Sequence, residues 1–176
     1  MTIPAGHALD ALCYLLGEFS HLSATTAHHY PTYTLAPPAD SSSTAATTHQ
    51  RTAPDSFSLF GSLQSGASVN FHMYATTPVL PDTIEWTIVG EKGSLRLEGD
   101  SFMVQMVPMR LWRSGEAKKW ERVEVEDVDA VAAEYAAFAA GAGGANVMDF
   151  EGAVLRHRML DAVWRSVKEG RSESYM

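Results

Sequence analysis

Residues 1–18 read MTIPAGHALDALCYLLGE. His7 and Asp10 stand three positions apart in this run and Tyr14 follows one turn later. A helix therefore places an imidazole, a carboxylate and a phenol along one edge. Leu9, Leu12 and Leu16 form a second, apolar stripe on the side that should face a core. The polar edge suits acid–base chemistry. It equally suits a surface His–Asp pair in which Asp10 supports the first helical turn, and spacing alone leaves both open. Cys13 sits among the leucines, so a buried, inert thiol is expected there rather than a nucleophile.

Beyond this helix, Phe19–Ala27 reads as a strand, rich in residues that suit a pleated surface. Residues 31–54 carry Pro37-Pro38 and the run Ser41-Ser42-Ser43-Thr44. Such a long loop is either a functional flap or an inert flexible insertion, and Tyr30, Tyr33 and His49 give it groups that could close over a ligand. The middle of the chain is a β-meander. Ser56–Leu63 and Ala67–Ala75 flank a turn at Gln64-Ser65-Gly66, and Thr83–Val89 and Ser94–Glu98 flank Gly90-Glu91-Lys92-Gly93. Phe102–Trp112 and Trp120–Val125 bring the total to about six strands. In the second strand Ala67, Val69, Phe71, Met73 and Ala75 share one face, and Ser68, Asn70, His72 and Tyr74 share the other. This alternation points to antiparallel pairing.

Two helices close the chain. Ala130–Ala140 is short and alanine-rich; Asp149–Lys168 has Asp149 as its N-cap and Gly170 as its stop. Phe150, Ala153, Val154, Leu160, Val163, Trp164 and Val167 recur at helical spacing and are expected to form its core stripe. His157 precedes Asp161 by one turn, which suits a histidine satisfied by that carboxylate. The fold class expected is α+β: one domain over residues 1–176, an open, predominantly antiparallel sheet with helices packed on one face.

Composition excludes several functions. With 45% hydrophobic and 19% charged residues, the chain can bury about 70% of its unfolded surface in one core. A single cysteine forbids an internal disulfide. A formal net charge of −8, with no Lys/Arg cluster, argues against nucleic acid as a partner. No run approaches the ~18 apolar residues of a membrane span, and no basic leader precedes an apolar stretch, so a soluble, cytoplasmic protein is expected. The seven histidines come without a ligand-spaced carboxylate or cysteine set, so no metal site is expected. Neither a G-x-S-x-G elbow nor a phosphate-binding loop is present.

Four stretches, taken in order, carry a family resemblance. They are Gly6-His7-Ala8-Leu9-Asp10-Ala11-Leu12 with Leu15-Leu16-Gly17-Glu18, then Asp55-Ser56-Phe57 with Gly61–Ala67, then Trp86–Leu95, and finally Asp149–Ala153 running into Leu160–Ser166 and Glu169-Gly170-Arg171. Together they resemble the C-terminal domain of the Gfo/Idh/MocA oxidoreductase family, in particular the branch holding the fungal galactose-regulon repressor and its oxidoreductase relatives. The family's N-terminal dinucleotide-binding domain has no counterpart. The one glycine cluster, Gly141-Ala142-Gly143-Gly144-Ala145-Asn146, follows a helix rather than a strand and reads as an interhelical turn. The family's lysine, which belongs to that domain, has no counterpart in these residues, and Ile3 stands where an acidic residue is usual.

The resemblance implies that the first helix lines a substrate pocket, that His7 and Asp10 match the family's pocket histidine and aspartate, and that a free sheet face makes a homodimer. The leading expectation is a cofactor-independent protein acting on a small molecule: a cyclase, isomerase or dehydratase of secondary metabolism. His7 and Asp10 would do the proton transfer, with Tyr14, Asn70, His72, Tyr74 and Trp86 binding substrate. No cofactor is expected on this chain. The alternative is a non-catalytic oligomerisation or regulatory module, or one half of a split NAD(P)-dependent oxidoreductase that pairs with a separate nucleotide-binding chain. A shortened product of a longer gene is a third expectation, since fold does not carry function by itself.

Overall fold

A computed structural model of the chain describes residues 2–37, 45–74, 83–101, 103, 107–126, 128–141 and 147–176. Helix α1 (Thr2–Leu16) opens it and turns Ala5, Ala8, Leu9, Leu12 and Cys13 into the core. Gly17, at φ +93°, ends this helix with its N–H on the Cys13 carbonyl at 2.9 Å. Strand β1 (Phe19–Ala27) follows where expected, and pairs antiparallel with β4 (Ser56–Leu63), which in turn pairs with β5 (Ser68–Tyr74). The inward residues of this three-stranded sheet are Phe19, Leu22, Ala24, Phe57, Leu59, Leu63 and Met73, all buried.

A second sheet holds β6 (Ile84–Gly90), β7 (Gly93–Gly99), β8 (Met109–Ser114) and β9 (Glu121–Val123) in sequence order, every ladder antiparallel. The fold class is therefore the α+β arrangement read from the sequence. Its described strands divide into separate ladders, however, because the meander breaks between β5 and β6. Of the strand expected at Phe102–Trp112, the described part begins only at Met109, and Phe102 and 104–106 lie outside the described residues.

Helices α2 (Ala130–Ala139) and α3 (Phe150–Glu169) have the expected bounds to within a residue. Asp149 caps α3 by accepting the Gly152 N–H at 2.7 Å, and Gly170, left-handed at φ +66°, stops it. The expected core stripe holds at Val163, which is buried, and at Leu160 and Val167, which pack against the core, and needs correction elsewhere. Phe150 is 92% exposed, and Val154 and Trp164 are exposed too, whereas Met159, Ala162, Val163 and Ser166 are buried. At 100° per residue, Phe150 and Val154 fall about half a turn from Met159, so a stripe centred on them would face solvent. Ser166, absent from the apolar pattern, ties α3 to the sheet. Its Oγ accepts the Ala24 N–H at 2.9 Å and donates to the Arg171 carbonyl at 2.6 Å. His157 is exposed, and its neighbour Arg156 is the side chain that this turn of α3 sends inward. No described helix is long and apolar enough to cross a membrane.

The Pro/Ser/Thr segment at 31–54 carries a small antiparallel ribbon, β2 (Thr32–Leu35) against β3 (Thr47–Gln50); residues 38–44 lie outside the described set. Two of the groups singled out there face each other: the Tyr33 and His49 rings stack at 5.6 Å, with Arg51 over Tyr33 at 5.6 Å. Asp55 anchors the root of the ribbon. It is 2% exposed and accepts the His29 N–H at 2.8 Å and the Tyr30 N–H at 2.7 Å. Burial pushes its carboxyl upward, but those backbone bonds outweigh it and hold the group below the usual range. Folded pKa below unfolded means stability that is present above the unfolded value and lost as pH falls through the folded one. The stability gap between wild type and Asp55→Ala should therefore shrink as urea unfolding is repeated from neutral pH to below about 3.9, the ordinary aspartate value.

Candidate functional site

Between α1 and the facing edges of β5 and β6 lies a cavity of about 760 Å3. Helix α1 contributes Ala8, Leu12 and Leu16 to its wall. Strand β5 is the outer strand of its sheet on this side, so residues from both its faces border the space. Val69, Phe71 and Met73 point to the core cluster, while Asn70, His72 and Tyr74 alternate to the other face. Of β6, Ile84, Trp86 and Ile88 border the cavity and are half-buried, and Trp86 also packs against the core. An apolar wall with a few polar groups is the general character of a small-molecule site.

Two of the polar groups on this wall, His72 and Tyr74, are held by neighbours. Ser58 of β4 is the direct cross-strand partner of His72, and its Oγ lies 2.6 Å from His72 Nδ1. The Tyr74 ring meets the His72 ring edge-on, 4.2 Å between centroids at 71°. The fold thus brings Asn70, His72, Tyr74 and Trp86 of the expected set to one cavity.

The remaining three, His7, Asp10 and Tyr14, are not among the residues bordering it. His7 is exposed and Tyr14 is 64% exposed, on an outer face of α1 that also shows Ile3 and Leu15 to solvent. Asp10 is committed to Arg156, whose Nε donates to its Oδ1 at 2.8 Å. The same guanidinium grips Glu18 with both of its other nitrogens, at 3.1 and 2.8 Å. Tyr175 donates its hydroxyl to Glu18 Oε2 at 2.5 Å and accepts the Phe19 N–H at 3.0 Å.

Electrostatics follow from this packing. Burial would raise the Glu18 carboxyl, yet hydrogen bonds from Arg156 and Tyr175 outweigh it and hold it below its ordinary value. Burial likewise works against the Arg156 charge and is overcome by the two carboxylates, which hold its proton more tightly than usual. Burial, then the bond to Glu18, pushes the Tyr175 phenol far upward. Burial pushes the Cys13 thiol up to about 12, as befits an inert packing residue. Arg156 and Tyr175 escaped sequence reading because each acts through a partner distant in the chain, whereas Ser58 had a signal, since the turn at residues 64–66 sets it across the hairpin from His72. Glu18 had a signal, as the last residue of the opening motif. Among the described residues no group of three His, Cys, Asp or Glu side chains is placed to hold a metal ion. Of the glycine cluster only Gly141 is described; residues 142–146 lie outside the described set.

Comparison with known proteins completes the picture. The family described as Gal80p, C-terminal domain, matches residues 1–99. The dehydrogenase aclE of Aspergillus oryzae is 35% identical over 179 residues, covering 99% of this chain and 48% of that protein. A super-repressor mutant of Gal80p from Saccharomyces cerevisiae superposes with a TM-score of 0.76 at 20% identity, over 97% of this chain and 48% of that one. Levoglucosan dehydrogenase in its apo form gives 0.73 at 16% identity, over 98% and 50%. The WlbA dehydrogenase from Bordetella pertussis, solved with NADH and UDP-GlcNAcA, gives 0.61 at 19% identity, over 96% and 43%. The solved structures share the fold, and the chain spans about half the length of the relatives it matches.

Proposed function

Because the chain belongs to the family of Gal80p C-terminal-like domains, we propose that it is a substrate-holding domain, binding a small polar organic molecule in the α1–β5–β6 cavity. The observation that carries this is the wall itself, which combines Asn70, His72 and Tyr74 with apolar groups from Trp86, Ile84 and the leucines of α1. Its chemistry is proton transfer of the cyclase, isomerase or dehydratase kind, with no nicotinamide held by this chain. A thermal-shift series with NAD(H) and NADP(H) tests the cofactor-free part. An unchanged melting temperature is expected, and clear stabilisation by any of the four would contradict it.

A second reading is favoured by the outer face of α1. Ile3, Tyr14 and Leu15 are exposed beside His7, and the relatives carry about as much chain again as is present here. On this reading a separate nucleotide-binding chain covers that face and brings His7 and Asp10 into a shared redox site. Mixing the chain with the unmatched half of the Aspergillus oryzae dehydrogenase should then give a complex on size exclusion that His7→Ala leaves assembled but inactive. Two species eluting apart would remove this reading. Dimerisation through the β6–β9 sheet is proposed with either. One face of that sheet carries rows of mixed charge, Glu85–Glu98–Arg110 and Arg96–Trp112–Arg122, in register across the strands.

A further inference from the structure

We propose that His72 is the proton-transferring group of the cavity and that Ser58 is the residue that positions it. This rests on the cavity being a ligand site. The ring is held from two sides. Ser58, paired with it across β4 and β5, lies 2.6 Å from Nδ1, and Tyr74 braces the ring edge-on at 4.2 Å. With Nδ1 engaged by the serine, Nε2 is the nitrogen left for a ligand. When Nδ1–H donates to Ser58 Oγ, Nε2 carries the free electron pair of a base. Asn70, two residues earlier on the same face, can donate to or accept from the substrate group that develops charge, and Trp86 of β6 borders the same cavity. His7 has none of this setting: it borders no part of the cavity.

A planar probe tests this without knowledge of the natural substrate. In 5-nitrobenzisoxazole a base removes the ring C–H proton, and the N–O bond breaks with its electron pair on oxygen. A nitrile and a phenolate result, the proton residing on His72 Nε2. The chain should catalyse this elimination, His72→Ala should lower kcat/KM about a hundredfold, and His157→Ala, on the exposed side of α3 and away from the cavity, should leave it unchanged. Ser58→Ala should cost less, and should shift the His72 ring 15N signals towards the tautomer mixture of free imidazole. Ser58→Thr, which keeps the hydroxyl, should restore both rate and signals. Binding is read separately with 6-nitrobenzotriazole, which has the same shape and no labile C–H. If it binds and turnover survives His72→Ala, the assignment to His72 is overturned while the cavity stands. A free-imidazole tautomer mixture in the unaltered protein overturns the role of Ser58. If the benzotriazole does not bind at all, the ligand site fails and the assignment falls with it.

Discussion

Arg156→Ala is expected to cost about 3 kcal/mol of unfolding free energy, the scale seen when one partner of a buried ion pair is removed. Among the described residues Arg156 is the single cation paired with Asp10 and Glu18, and its side chain is 13% exposed against 18% for Glu18. Without it, Glu18 keeps only the Tyr175 hydroxyl, and two carboxylates remain close together with no counter-charge. Arg156→Lys should recover less than half of the loss, because an ammonium cannot bond Asp10 and both Glu18 oxygens in one plane. Urea unfolding at constant m-value reads this directly. A loss within about 0.5 kcal/mol, the usual range of a surface substitution, would show that the network contributes no more than an exposed pair. The depressed Glu18 carboxyl adds a sign to the same experiment. Its stabilisation is present above the unfolded glutamate value and is lost as pH falls through the folded one, so the cost of Arg156→Ala should be smaller in acid.

Phe19→Ala is expected to cost about 3–5 kcal/mol, the range for removing a buried aromatic side chain. Phe19 is 0% exposed where α1, β1 and the tail residue Tyr175 converge. On α3, Val154→Ala should stay within about 0.5 kcal/mol despite removing two methyl groups, since that residue faces solvent. Melting temperatures of the two variants should therefore separate widely. Equal losses would mean that α3 sits rotated from the orientation described here.

The fold was legible where a local signal and the tertiary result agree. Strand β1, the bounds of α2 and α3, the Asp149 cap and the Gly170 stop each depend on residues within one or two turns. The α3 stripe misled because apolar residues recur at helical spacing on two sides of that helix, and only contact with β1 selects the side that is buried. The break between β5 and β6 has its local signal in Pro78 and Pro81, which disfavour a continuous ladder, although both strands alternate as a meander would. The candidate site divides the same way. Asn70, His72, Tyr74 and Trp86 were legible because strand alternation and hairpin order place them near one edge. Asp10 was legible as a carboxylate beside His7, yet its partner lies 146 positions away in sequence, and no helical spacing could point to Arg156.

The central claim is that small molecules enter between α1, β5 and β6. Its most direct measurement is amide chemical-shift mapping of the 15N-labelled protein during titration with small hydroxy acids and sugars. Saturable shifts confined to residues 68–74 and 84–89 and to the Ala8–Leu12 face of α1 are the expected result. Shifts gathered instead around His7 and Tyr14, or none that saturate, would contradict it.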